Sequence, residues 1–141
     1  FIKILFPTAK IINCSRNPAD NCLSIYKNLF DYEGPWSYDK TELTQFYNLY
    51  LDIMIFWKKK FPDSIHDVQY EELVKNPNSK IKELLSHLDI GWDDDCLKFY
   101  ENKNAIKTLS VSQARSKIYT SSVSSYEKYK PFLKESFLYF E

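Results

Sequence analysis

Arg16 stands between the run Lys10-Ile11-Ile12-Asn13-Cys14 and the pair Asn17-Pro18. The run is apolar and rich in β-branched residues, the composition of a short buried strand that stops at Ser15-Arg16. Asn17 is a favoured helix N-cap, Pro18 suits the first helical turn, and Asp20 puts a negative charge where the helix dipole is positive. The pattern therefore carries an arginine from a strand end to the mouth of a helix, the edge at which open α/β sheets bind ligands. Ser24 lies seven residues after Asn17, about two turns of a 3.6-residue helix, so its hydroxyl shares the side of the cap. A phosphate on that side would meet a forked, charge-assisted contact from Arg16, one hydroxyl from Ser24 and the partial charge of the helix end. The same spacing also allows Arg16 to pair with Asp20 while Ser24 faces water.

The elements that must position these residues follow from periodicity. A helix is predicted from about Pro18 to Phe30, broken by Asp31-Tyr32-Glu33-Gly34-Pro35-Trp36-Ser37, and a longer one from about Lys40 to Lys60. In the second, Leu43, Phe46, Tyr47, Tyr50, Met54 and Trp57 form an apolar stripe at helical period, expected to be core. Pro62-Asp63 ends it, and Ile65 to Tyr70 alternates like a strand before the acidic turn Glu71-Glu72-Leu73. Asn78 or Ser79 then caps a helix reaching Leu88. Asp93 to Asn102 suits a further short helix, with its three aspartates as caps rather than a metal site. Thr108 to Ser125 reads as a polar loop, and Tyr126 to Phe140 returns to helical spacing around Pro131. Two strands separated by helices indicate an α/β fold with a helix-covered parallel sheet.

Composition limits the partners. Lys plus Arg and Asp plus Glu are equal at 19 each, so no overall field draws nucleic acid or an anionic membrane, and any anion site must be local. Cys14, Cys22 and Cys96 are an odd number without a Cys-x-x-Cys pair, which indicates neither a disulfide framework nor zinc and fits a reducing, cytoplasmic setting. The apolar opening Phe1 to Phe6 is too short for a signal segment, and no run approaches a bilayer span of about 20 residues. With no initiator Met, that opening is expected to continue a fold begun upstream.

Four ordered blocks, the first of them containing the Arg16 junction, resemble one family. Phe6-Pro7-Thr8-Ala9-Lys10-Ile11-Ile12 followed by Ser15-Arg16-Asn17-Pro18-Ala19-Asp20-Asn21-Cys22-Leu23-Ser24-Ile25-Tyr26 is similar to the 3'-phosphate motif of sulfotransferases that use 3'-phosphoadenosine 5'-phosphosulfate (PAPS). In that motif an Arg ends a strand and a Ser follows eight residues later. The resemblance continues through Val68-Gln69-Tyr70-Glu71-Glu72-Leu73-Val74 and Pro77, then Ile118-Tyr119-Thr120-Ser121-Ser122-Val123, then Tyr126-Glu127-Lys128-Tyr129. It is strongest to bacterial sulfotransferases associated with tetratricopeptide repeats, relatives of tyrosylprotein sulfotransferases.

The resemblance implies a partial P-loop-type three-layer sulfotransferase fold, residues 1–141 being the C-terminal part of one domain, a helix-rich piece with short parallel strands. It implies that Arg16 and Ser24 bind the 3'-phosphate and that Tyr70 contacts the adenine or ribose. Arg115 and the Ser121 to Ser124 loop correspond to a segment that closes over the nucleotide, with Ser122 and Ser124 as the contacting serines. Asn28 replaces a further Arg of the tyrosylprotein relatives, with Lys27 beside it. Isolated glycines at Gly34 and Gly91 permit no Gly-rich phosphate loop. The cradle for the sulfate and the catalytic base are therefore expected upstream, the chain alone is expected to be inactive, and His66 and His87 read as structural. The expected partners are the nucleotide cosubstrate and an acceptor, with no nucleic acid, membrane or metal. The alternative is a degenerate nucleotide-binding or protein-interaction module without transferase activity.

Overall fold

A computed structural model describes residues 1–28, 34–102, 104 and 114–133. A single turn of helix, α1 (Ile2–Leu5), precedes strand β1 (Ile11–Ser15) and helix α2 (Pro18–Lys27). A 3-10 turn at Pro35–Tyr38 leads into the long α3 (Lys40–Lys60), then β2 (Ile65–Gln69), α4 (Tyr70–Lys75) and α5 (Pro77–His87). Two more 3-10 segments, Asp94–Glu101 and Ser125–Lys128, and a last turn α6 (Lys130–Leu133) complete the order. The chain is thus mixed and helix-rich, with two short strands.

The strands pair in parallel, Ile11 opposite Ile65 through Ser15 opposite Gln69. Parallel pairing needs a long crossover, here supplied by α2 and α3, and it places both C-terminal strand ends at one edge. Asn17 and Asp39 start those helices as caps: Asn17 Oδ1 accepts from the Asp20 amide at 3.1 Å, and Asp39 Oδ1 from Thr41 and Glu42 at 2.8 and 2.9 Å. Each cap satisfies amides that the first helical turn leaves without partners. Asp93 serves likewise, accepting from the Asp95 amide at 2.8 Å.

Cys22 and Leu23 of α2, Leu43 and Tyr47 of α3 and Leu133 of α6 form the buried cluster, with Trp36, Tyr50 and Tyr126 packed against it. Trp36 stacks on Phe46 with centroids 4.1 Å apart, and the Ser37 hydroxyl donates to the Gly34 carbonyl at 2.7 Å, so this segment is anchored to α3.

Several boundaries differ from expectation. The helix expected to reach Phe30 ends at Lys27, where Asn28 adopts extended backbone and its Nδ2 donates to the Ser24 carbonyl at 2.7 Å. Glu71 to Leu73 lies inside α4 rather than in a turn, because Tyr70 already begins that helix. The α3 stripe is core only in part: Leu43 and Tyr47 are buried, whereas Phe46 and Trp57 are 48% and 43% exposed. Lys58 near the C-terminal end of α3 pairs with Asp67 of β2 at 2.6 Å, yet Trp57 stays exposed, so periodicity marks an apolar face without deciding how much of it is covered. The expected terminal helix is a 3-10 turn followed by α6; residues 134–141, and 108–113 of the expected polar loop, lie outside the described residues.

Candidate functional site

Because Ser15 is opposite Gln69, the next residue of each strand emerges from the sheet at the same edge. Those residues are Arg16 and Tyr70. The Arg16 guanidinium carbon sits 5.0 Å from the centroid of the Tyr70 ring, within cation–π range. The ring supplies a face for the guanidinium, whose N–H groups lie in its own plane. Tyr47 and Tyr50 of α3 support the strand from one face: Tyr47 donates to the Arg16 carbonyl at 3.4 Å, and Tyr50 donates to Asn13 Oδ1 at 2.9 Å. Burial pushes the Tyr47 hydroxyl up to about 12, so it stays a neutral donor.

Ser122 closes the group. Its carbonyl accepts from Arg16 Nη2 at 2.6 Å, and its hydroxyl is 2.7 Å from the Tyr70 hydroxyl. Residues distant in sequence thus form one cluster of a guanidinium, a phenol and a serine at the C-terminal edge of a parallel pair. Arg16 Nε is buried and has no acceptor among the described residues. A buried, unsatisfied charged donor is costly unless something accepts from it, so this nitrogen is a donor that an acceptor would satisfy. Tyr70 also lines an apolar cleft of about 310 Å³, together with Leu73, Val74, Ile81, Leu84 and Tyr119 among others.

Of the residues anticipated from the sequence, the structure brings Arg16, Tyr70 and Ser122 together. Ser24 lies half-buried in the second turn of α2, with no hydrogen bond between its hydroxyl and Arg16. Ser124 is adjacent in sequence to the cluster but is exposed, its backbone left-handed (φ 55°), and its amide donates to Asp20 Oδ2 at 2.7 Å. Arg115 is directed elsewhere: its Nη2 donates to the Asn104 carbonyl at 2.5 Å. Lys27 lies 5.0 Å from the Tyr129 ring centroid. The rings of His66 and His87 stack with centroids 4.6 Å apart, away from Arg16. The pairing of Arg16 with Asp20 is not formed, since Asp20 is occupied by residues 124–126. No group of three metal-ligating side chains occurs among the described residues.

Sequence reasoning named Asp20 and Glu71 but passed over both in these roles. Glu71 Oε1 accepts from the Asn17 amide at 2.9 Å, joining the start of α4 to the start of α2, while its buried Oε2 has no partner among the described residues. The available signal was positional: Glu71 follows Tyr70 just as Asn17 follows Arg16, so a parallel register at Ser15 and Gln69 sets them side by side.

Residues 1–94, which contain β1, α2, β2 and α4, match the family model described as sulfotransferase family. The chain belongs to the sulfotransferase family. An uncharacterized protein of Aquifex aeolicus (strain VF5) is 33% identical over 135 residues, covering 94% of this chain and 18% of that protein. The chain therefore spans less than a fifth of the length of the relative it matches. Within this sulfotransferase-family domain the match includes Arg16, Ser24 and Tyr70 and ends before Ser122. No helix among the described residues is long and apolar enough to cross a membrane.

Proposed function

We propose that the protein is an enzyme that moves a sulfuryl group from PAPS to an acceptor hydroxyl or amine, and that this chain supplies the adenosine 3'-phosphate subsite. The observation that carries the reading is Arg16: a guanidinium stacked on Tyr70 at the strand edge, with a buried Nε that lacks an acceptor. Such a donor suits a phosphate oxygen, because charge-assisted bonds to guanidinium are both strong and directional. Arg16 and Ser24 would hold the 3'-phosphate. Tyr70 and the apolar cleft beside it would take the base or ribose, and Ser122 would border it. Arg115 and Ser124 belong to the same proposal as parts of a segment that closes over the nucleotide. When bound, the nucleotide supplies the activated sulfuryl group, and the residues of this chain bind and orient it.

The two glycines, Gly34 and Gly91, form no phosphate loop, so the sulfate cradle and the base that takes the acceptor's proton are proposed to lie elsewhere in a longer protein. Residues 1–141 alone are expected to bind the nucleotide in part and to transfer nothing. Kinship to the tetratricopeptide-associated and tyrosylprotein enzymes, a cytoplasmic setting, and the absence of nucleic-acid or membrane partners are parts of the same proposal. Titration calorimetry of the full-length protein with adenosine 3',5'-bisphosphate tests it: Arg16→Ala is expected to bind about 10 to 100-fold more weakly, the worth of one charge-assisted bond. Equal affinities would remove the assignment.

A further inference from the structure

Asp20 is fully buried at 0% exposure, yet nothing on its own helix accounts for its carboxylate. Its amide is the one capped by Asn17, but both carboxylate oxygens turn away from α2 toward a segment more than 100 residues downstream. Oδ2 accepts from the Ser124 amide at 2.7 Å, and Oδ1 accepts from the Ser125 hydroxyl at 2.9 Å and the Tyr126 amide at 2.8 Å. Three donors converging on a buried anion at a helix N-terminus satisfy it and, in return, fix the backbone that carries them. That backbone is tightly bent. Ser124 holds the left-handed conformation that a non-glycine residue adopts only when its surroundings enforce it. Two residues before it, Ser122 presents its carbonyl to Arg16 and its hydroxyl to Tyr70.

We propose that Asp20 is a positioning residue for the anion site: its carboxylate pins the 124–126 turn to α2 so that Ser122 meets Arg16 and Tyr70. The assignment of that site to a nucleotide rests on the function proposed above, whereas the pinning itself does not. Arg16 and Asp20 both sit at the β1–α2 junction, so one junction holds both the ligand-binding arginine and the anchor for the segment facing it. Neither residue touches the other. They act on the same turn from two sides, Arg16 through Ser122 and Asp20 through Ser124, Ser125 and Tyr126.

The decisive variant is Asp20→Asn in the full-length protein, which keeps the volume and one acceptor oxygen but sets an NH2 group against the Ser124 amide. In the free protein, hydrogen exchange at the Ser124 and Tyr126 amides is expected to rise about tenfold, with Leu43 and Tyr47 in α3 unchanged. Exchange at the wild-type rate in the turn, or an equal rise in α3, overturns the proposal. The second readout is a double-mutant cycle against adenosine 3',5'-bisphosphate: Asp20→Asn and Ser122→Ala are each expected to weaken binding, and the pair to bind within about threefold of the weaker single variant. Additive losses overturn it, because a merely structural aspartate would add. If the wild type binds no nucleotide, the reading of the site falls and the exchange result alone decides the pinning. Ser125→Ala, which keeps the carboxylate and both backbone contacts, gives the same measurement in milder form, about threefold in exchange, should Asp20→Asn not fold.

Discussion

The Arg16 guanidinium lies over the Tyr70 ring at 5.0 Å because β1 and β2 end in register, Ser15 beside Gln69. The ring contact and the Nη2 bond to the Ser122 carbonyl suit a planar fork, which charge alone does not reproduce. Arg16→Lys is therefore expected to bind adenosine 3',5'-bisphosphate about tenfold more weakly than wild type, despite keeping its charge. Calorimetry at low and moderate salt checks this; unchanged affinity would mean that the fork has no part in binding.

Tyr70 offers two separable properties, a ring under Arg16 and a hydroxyl 2.7 Å from Ser122 Oγ. Tyr70→Phe keeps the first and is expected to cost about 0.5–1.5 kcal/mol, one neutral hydrogen bond, in nucleotide binding. Tyr70→Ala removes both and is expected to lose a further tenfold or so, through the lost face and the opened cleft. Parallel titrations of the two variants separate the contributions, and identical losses would assign everything to the hydroxyl.

Asn17 caps α2 through the Asp20 amide. Asn17→Ala is expected to lower stability by about 1 kcal/mol, read as a lower urea midpoint with unchanged slope. Its own amide, held by Glu71, survives the change, so the junction loosens without opening.

Stability should also fall at alkaline pH. Burial pushes the Cys22 thiol from 9.0 and the Tyr47 hydroxyl from 10.0, each up to about 12. Above those ordinary values the unfolded chain gives up protons that the folded chain retains, so stability is full below pH 9 and drains away as pH climbs toward about 12. Urea midpoints measured upward from pH 8 should decline, and Tyr47→Phe should flatten the decline above pH 10. A Tyr47→Phe curve as steep as wild type would exclude Tyr47 as a cause.

Local chemistry made much of the junction readable. Asn17, Pro18 and Asp20 announce a helix start and the β-branched run announces a strand, whereas the joining of Arg16 and Ser24 in one motif came from the family resemblance. The 21-residue α3 was legible to its ends because the Asp31 to Ser37 break and Pro62 bound an unbroken helical pattern. Nonlocal pairings were not. Nothing near Asp20 shows that its donors lie at residues 124–126, since an acidic residue in a first helical turn is already accounted for by the dipole. The register that sets Tyr70 under Arg16 is likewise a relation between two strands, invisible to either one. The α3 stripe misled for a related reason, as an apolar face shows that burial is favourable without naming the surface that supplies it.

The strand register also sets how the family's lengths can drift. A residue gained or lost inside β1 or β2 would turn Arg16 and Tyr70 to opposite sides of the pleat and separate them, whereas the crossover between the strands carries no such constraint. Insertions and deletions among relatives should therefore collect between α2 and α3 and spare Ile11 to Asn17 and Ile65 to Glu71. The two strands act as a ruler, and the connection between α2 and α3 as slack.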